Sequence, residues 1–256
     1  MRIGVCTSID KIALMEKLGF DYVELNLNGL SSLSDEDFEK ALEDVNKCSI
    51  KVEGCCVIIP KTLSLIGPSY DEKALESALN KGFGRMQRLG GSYAVFGSGK
   101  SRYVPEGMDY QDAYKELITV TDKIGNLAGK YGLKLVIEAL NKDETNLINS
   151  ISEALNLMKD VNNDNVKVLA DGFHMAKENE DYQILYQCGD DLLHSHIASR
   201  EGRAFPVLPT AENVSFIKTL KAVGYDGRLS IEAKTDKLEE DSLASIALIK
   251  KLWEEN

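Results

Sequence analysis

The sequence predicts a closed (β/α)8 barrel, and three observations carry that prediction. Short β-branched runs alternate with longer stretches of helical periodicity, the pattern of parallel strands joined by crossover helices. Eight such units of roughly 30 residues each fill the 256 residues with no linker-like pause, so one domain, 1–256, accounts for the chain. Four successive late strands each end in a side chain able to hold a metal, which suits the catalytic rim of a barrel; an open doubly wound sheet is the topological alternative.

The elements follow in order. The first strand core is 3–6, and the amphipathic stretch 12–18 closes at Gly19, a residue free to take the left-handed cap. Strand 22–27 precedes helix 35–47, for which Ser34 is a natural N-cap and Asp35, Glu36 and Asp37 an acidic first turn. Strand 51–58 leads to helix 71–89, closed by Gly90, and strand 93–97 to helix 111–131, closed by Gly132. Strand 134–138, helix 151–161, strand 167–171 and helix 181–187 come next, then strand 192–198 and helix 211–223, closed by Gly224. Strand 228–232 and helix 238–253 complete the count. The runs Leu18-Gly19-Phe20-Asp21 and Val223-Gly224-Tyr225-Asp226 echo each other as helix end and tight turn before a buried strand.

The balance of 41 acidic against 30 basic residues gives a net charge of −11, which repels phosphate backbones and anionic bilayers, so nucleic acid and membranes are not expected partners. The longest apolar runs are strand-sized, and residues 1–6 lack the apolar core of a secretory signal; the chain reads as cytoplasmic. The five cysteines, at 6, 48, 55, 56 and 188, form no metal-ribbon spacing and read as reduced, mostly core residues. The outer helices leave room for a homo-oligomer.

Polar residues at the tails of apolar strands are the ones a barrel turns to chemistry. Strand five ends Val136-Ile137-Glu138, strand six Leu169-Ala170-Asp171 and strand eight Ser230-Ile231-Glu232, while strand seven carries His194-Ser195-His196. Three carboxylates crowded at one rim repel, and a bound cation relieves the repulsion. An oxygen-rich set with one imidazole suits manganese first, with magnesium, cobalt or zinc as alternatives. His194 and His196 share a strand face, and His174 lies three residues after Asp171. Lys100 and Arg102, on the loop after strand four, offer positive charge to an anionic substituent of a substrate.

The runs around Ile137-Glu138-Ala139-Leu140-Asn141, Asp171-Gly172-Phe173-His174, His194-Ser195-His196 and Ser230-Ile231-Glu232 resemble the xylose isomerase-like TIM barrel superfamily. Within it they are similar to the sugar phosphate isomerase/epimerase group that includes ketose 3-epimerases. The resemblance implies one divalent metal ion on Glu138, Asp171, His196 and Glu232, with Glu138 and Glu232 as the proton-transferring pair. It further implies Glu144 and His174 on substrate hydroxyls, and a substrate-contacting arginine for which Arg203 is a better match than Arg200. The expected activity is isomerisation or epimerisation of a sugar or sugar phosphate; a metal-dependent dehydratase of a keto-polyol and a non-catalytic sugar-binding barrel are the alternatives. A multi-zinc endonuclease of the same superfamily would need histidines from early strands, where there are none.

Gly97-Ser98-Gly99-Lys100-Ser101 mimics a phosphate-binding loop, but the first glycine of that motif would fall at Ala94, and Val104-Pro105 follow too soon for the required helix.

Overall fold

The computed structural model describes residues 1–255. Eight strands pair in parallel in sequence order and close on themselves: β1 (Arg2–Thr7), β2 (Tyr22–Asn26), β3 (Lys51–Cys56), β4 (Tyr93–Phe96), β5 (Lys134–Glu138), β6 (Val166–Asp171), β7 (Leu192–Ile197) and β8 (Arg228–Ile231). The open doubly wound alternative is thereby excluded, because β1 pairs with both β2 and β8.

Around the barrel lie α1 (Ile12–Leu18), α2 (Leu27–Ser32), α3 (Asp35–Val45), α4 (Glu72–Leu89), α5 (Tyr110–Lys130), α6 (Ile151–Val161), α7 (Gly172–Lys177), α8 (Ala211–Ala222) and α9 (Leu238–Glu255). Their ends use the expected chemistry: Ser34 Oγ accepts from the Asp37 amide, and Gly19 and Gly90 take left-handed caps at φ 87° and 85°.

Two short helices depart from the sequence expectation. Leu27, expected at the tail of a strand, opens α2 with Asn26 as its cap, and α7 starts immediately after Asp171. Segment 181–187, expected as the sixth outer helix, is a 3-10 helix (Tyr182–Gln187). None of the three is long enough to establish two turns of α-helical periodicity.

Parallel neighbours share a face, so the pairing registers sort the barrel interior into layers. Cys6, Glu24 and Gly54 lie side by side, as do Asp171, His196 and Ser230. Below them, toward the amino-terminal end of the strands, the Tyr22 and Tyr93 rings fill the interior. They fit because Gly4 and Gly54 lack a side chain: a Cβ there would stand 2.3 Å and 2.1 Å from the two ring Cζ atoms. Among the described residues no helix is long and apolar enough to cross a membrane.

Candidate active site

The carboxyl ends of β5 to β8 bring four side chains together. Glu138, Asp171, His196 and Glu232 each present a donor atom within 4.8 Å of every other. Three of them are buried, and Glu232 is about a fifth exposed, at 21%. His196 Nδ1 faces Glu138 Oε1 and Glu232 Oε2 at 3.3 Å each. Asp171 commits Oδ1 to the Phe173 amide at 2.7 Å, capping α7, and its Oδ2 lies 3.6 Å from both His174 Nε2 and Arg203 Nη2.

This set fits a divalent cation. Bonds of about 2.1 Å place octahedral donors about 3.0 to 4.2 Å apart, inside the observed spread. Three carboxylate oxygens and one imidazole nitrogen form a predominantly hard donor set. The carboxylates also repel: burial, then the nearby Glu232, hold the Glu138 carboxyl above the usual range. Burial opposes ionisation of Glu232 as well, but its hydrogen bond to His196, with the charges of His196 and Arg203, brings it down to about 2. Burial disfavours charge on His196 too, yet Glu24, Glu138 and Glu232 together raise its pKa well above that of free imidazole. Nδ1, which faces Glu138 and Glu232, is the nitrogen that a cation on this set would take, and binding there would require it free of a proton.

Directly beneath lies a residue that sequence reasoning missed. Glu24, on β2, is fully buried, and its carboxylate accepts from His196 Nε2 at 3.1 Å, His194 Nε2 at 2.7 Å, Tyr93 Oη at 2.9 Å and Ser230 Oγ at 3.1 Å. Burial alone would raise its pKa, but the two histidines hold it well below the carboxylate norm. His194 is driven down to about 4 by burial, so it donates to Glu24 as a neutral ring. Of the His-x-His pair, His196 thus belongs to the metal-competent set and His194 to the layer that supports it.

A profile of the xylose isomerase-like TIM barrel family matches residues 12–252. The chain belongs to the xylose isomerase-like TIM barrel family. It is 29% identical to D-psicose 3-epimerase of Agrobacterium fabrum over 210 residues, 76% of this chain and 68% of that protein. It is 26% identical to L-ribulose 3-epimerase of Mesorhizobium japonicum over 57% of this chain, an alignment that spans 50% of that protein's length. Among solved structures, D-psicose 3-epimerase from Clostridium cellulolyticum with D-tagatose superposes with a TM-score of 0.85 at 19% identity, covering 99% of each chain. The kinship is to ketose 3-epimerases.

In this member of the xylose isomerase-like family the remaining expected residues divide. Arg203, not Arg200, reaches the cluster: it pairs with Glu232, approaches Asp171 Oδ2 at 3.6 Å, bonds Glu144 Oε1 at 3.2 Å and stacks over Phe173. Arg200 points instead toward Glu212. Glu144 stands half-exposed at the rim, held by Arg203. His174 is buried; its Nδ1 accepts from the Asn141 amide at 3.1 Å, which places the proton of a neutral ring on Nε2, and Nε2 has no hydrogen-bond partner. Nε2 stands 3.6 Å from Asp171 Oδ2.

Arg102 is placed differently from the expectation. It is fully buried beneath the loop and donates to Phe96 O at 3.1 Å and Glu138 O at 2.7 Å, tying together the ends of β4 and β5. A guanidinium committed to two carbonyls is not free for an anion in the cavity. Lys100 does line the cavity, and so does Lys61, a residue not anticipated.

That cavity, about 300 Å³, opens over the cluster and is lined by Glu138, Glu144, Arg203 and Glu232 among others. Three of the non-glycine residues with left-handed backbone, Val57, Ser98 and Arg203, line it at φ 52°, 48° and 51°. Such strain persists where surrounding structure enforces it, and it collects at functional sites.

Gly97 has a steric role here, since a Cβ on it would lie 2.2 Å from Glu138 Oε2. The Gly97→Ala variant is expected to fold, with an unchanged circular dichroism spectrum, while turnover falls at least about 10-fold as the carboxylate is pushed off its position. Full activity in a folded Gly97→Ala protein would refute this reading of the contact.

Proposed function

We propose that this chain is a divalent-metal-dependent ketose epimerase that inverts a carbon next to a carbonyl. The observation that carries the reading is the convergence of Glu138, Asp171, His196 and Glu232 beneath a cavity of small-molecule size. Kinship with D-psicose and L-ribulose 3-epimerases supports both the enzymatic character and the substrate class.

A divalent cation on those four residues, Mn2+ by first assignment and Mg2+, Co2+ or Zn2+ otherwise, would supply positive charge against the substrate oxygens on which enediolate charge develops. The chain's own residues do the rest. Glu232, paired with Arg203, removes the proton on one side of the substrate carbon. Glu138, which with Glu232 flanks His196 Nδ1, returns one from the other side. Nε2–H of His174 and the Glu144 carboxylate hold hydroxyl groups so that the carbon stays between the two acids.

Lys61 and Lys100, both exposed at the rim, make an anionic substituent on the substrate part of the proposal. The test is solvent-deuterium incorporation, followed by mass spectrometry and NMR, over a panel of ketoses, ketose phosphates and keto-inositols with Mn2+. The expected result is one deuterium at the epimerised carbon, with the phosphate esters preferred over their parent sugars. Loss of water in place of inversion would make the chain a dehydratase, and saturable binding without label uptake would make it a binding protein; either outcome overturns the reading.

A further inference from the structure

One group of donors next to the cluster has no part in the chemistry above. Cys6 on β1 and Cys56 at the end of β3 both face the barrel interior, where they pack in the layer of Tyr93, Val95, Val136 and Leu169. Their sulfur atoms and a carboxylate oxygen of Glu232 lie within 4.8 Å of one another. Cys6 Sγ also lies within 4.8 Å of donor atoms of Glu24 and His196, so a cation drawn to the sulfurs meets carboxylate charge on two sides.

Two nearby thiols suggest a disulfide first, but the pairing register argues against one. β2 intervenes between β1 and β3, and strands stand about 4.8 Å apart, so the two backbones are separated by two spacings. Along the strands the residues are offset as well, because Cys6 is level with Glu24 and Cys56 with Asn26. A disulfide needs Cα atoms within about 7 Å. A metal bridges a longer gap: with metal–sulfur bonds of about 2.3 Å in tetrahedral geometry, the sulfurs sit about 3.8 Å apart. Cys56 and Glu232 both line the cavity, which provides access.

We propose that Cys6, Cys56 and Glu232 form a second cation site, selective for a thiophilic divalent ion, whose occupation withdraws Glu232 from the oxygen-rich site and so inhibits the enzyme. Each coordinating thiol releases its proton to solvent as the metal–sulfur bond forms, and no electron is transferred. Soft sulfur donors choose the ion: Cd2+ and Zn2+ bind there, whereas Mg2+ and Mn2+ prefer the carboxylate set. The inhibitory clause rests on the function proposed above, while the binding clause does not.

The test is a Cd2+ titration of the intact chain, read by the near-ultraviolet sulfur-to-metal charge-transfer absorption, which requires no turnover. The wild type and Cys55→Ser, which alters a buried thiol outside the group, should show the band with one saturating equivalent. The Cys6→Ser/Cys56→Ser double variant should lose it, with affinity weakened at least about 100-fold, while retaining its melting transition. Asp171→Asn, which impairs only the oxygen-rich site, should keep the band. Absence of the band in the wild type, or its persistence in a folded double variant, would overturn the site. A Cd2+ band without inhibition of deuterium exchange, in protein active with Mn2+, would overturn the inhibitory link. Should no substrate exchange label at all, the absorption result still stands or falls by itself.

Discussion

Replacing Glu232 by glutamine should lower kcat by about 100- to 10,000-fold, the range associated with loss of a positioned general base. The replacement preserves shape and one oxygen donor, so the cluster can still hold a cation at raised Mn2+ concentration. Measurement at saturating metal, with metal content determined on the same sample, therefore separates proton transfer from occupancy. Glu138→Gln should be equally damaging, but the two variants should differ in kind. In the proposed scheme Glu232 and Glu138 serve opposite sides of one carbon, and their pKa values are pushed apart, Glu138 upward by burial and by Glu232, Glu232 downward, against burial, by His196 and Arg203. In Glu232→Gln, label should still wash into the epimer whose proton faces Glu138, and vanish from the other; Glu138→Gln should show the reverse. Equal loss from both epimers in both variants would mean that a single acid handles both faces, and the two-base scheme would fail.

The barrel and its acidic rim were legible for one reason: in β5 and β6 an ionisable residue follows an unbroken apolar run, and after β8 Glu232 follows Leu229-Ser230-Ile231, so residue type marks the point where the strand leaves the core. Glu24 carried no such mark, because Leu25 follows it on the outward face and the run reads as continuous strand. Its signal was present in another form. An inward carboxylate in mid-strand must find buried donors, and the two histidines sharing one face of β7 are such donors. The direction of Arg102 was not readable, because the tight turn Gly99–Arg102 folds the side chain back under β4 and β5, and turn geometry is set by packing rather than by charge pattern. Arg203 was readable only by comparison with relatives, since its left-handed backbone, which aims the guanidinium at Glu232, leaves no trace in residue type. The cysteine pair escaped notice because its members are 50 positions apart in sequence and meet only because β1, β2 and β3 curl around the barrel interior.

Glu24→Gln should weaken Mn2+ binding by about 10- to 100-fold, the cost typical of removing the carboxylate that orients a metal-bound imidazole. The reason lies in the count of donors. Four protein groups donate to the Glu24 carboxylate, and glutamine offers one accepting oxygen and an NH2 that turns its own hydrogens toward donors. With Nε2–H of His196 unpaired, the ring loses the contact that points its Nδ1 lone pair upward, and it gains the option of the other tautomer. Some stability is lost too, since each buried donor left unmatched costs about 1–3 kcal/mol. Two readouts separate orientation from mere destabilisation. Calorimetric Mn2+ affinity, measured well below the melting transition, should fall in Glu24→Gln and recover in part in Glu24→Asp, which restores the acceptor charge at shorter reach. The imidazole 15N shifts of His196 should report loss of the Nε2-protonated form in the metal-bound state. An unchanged Mn2+ affinity in a folded Glu24→Gln protein would show that the buried carboxylate only stabilises the barrel interior, and that Glu138, Asp171 and Glu232 suffice to hold His196 in place.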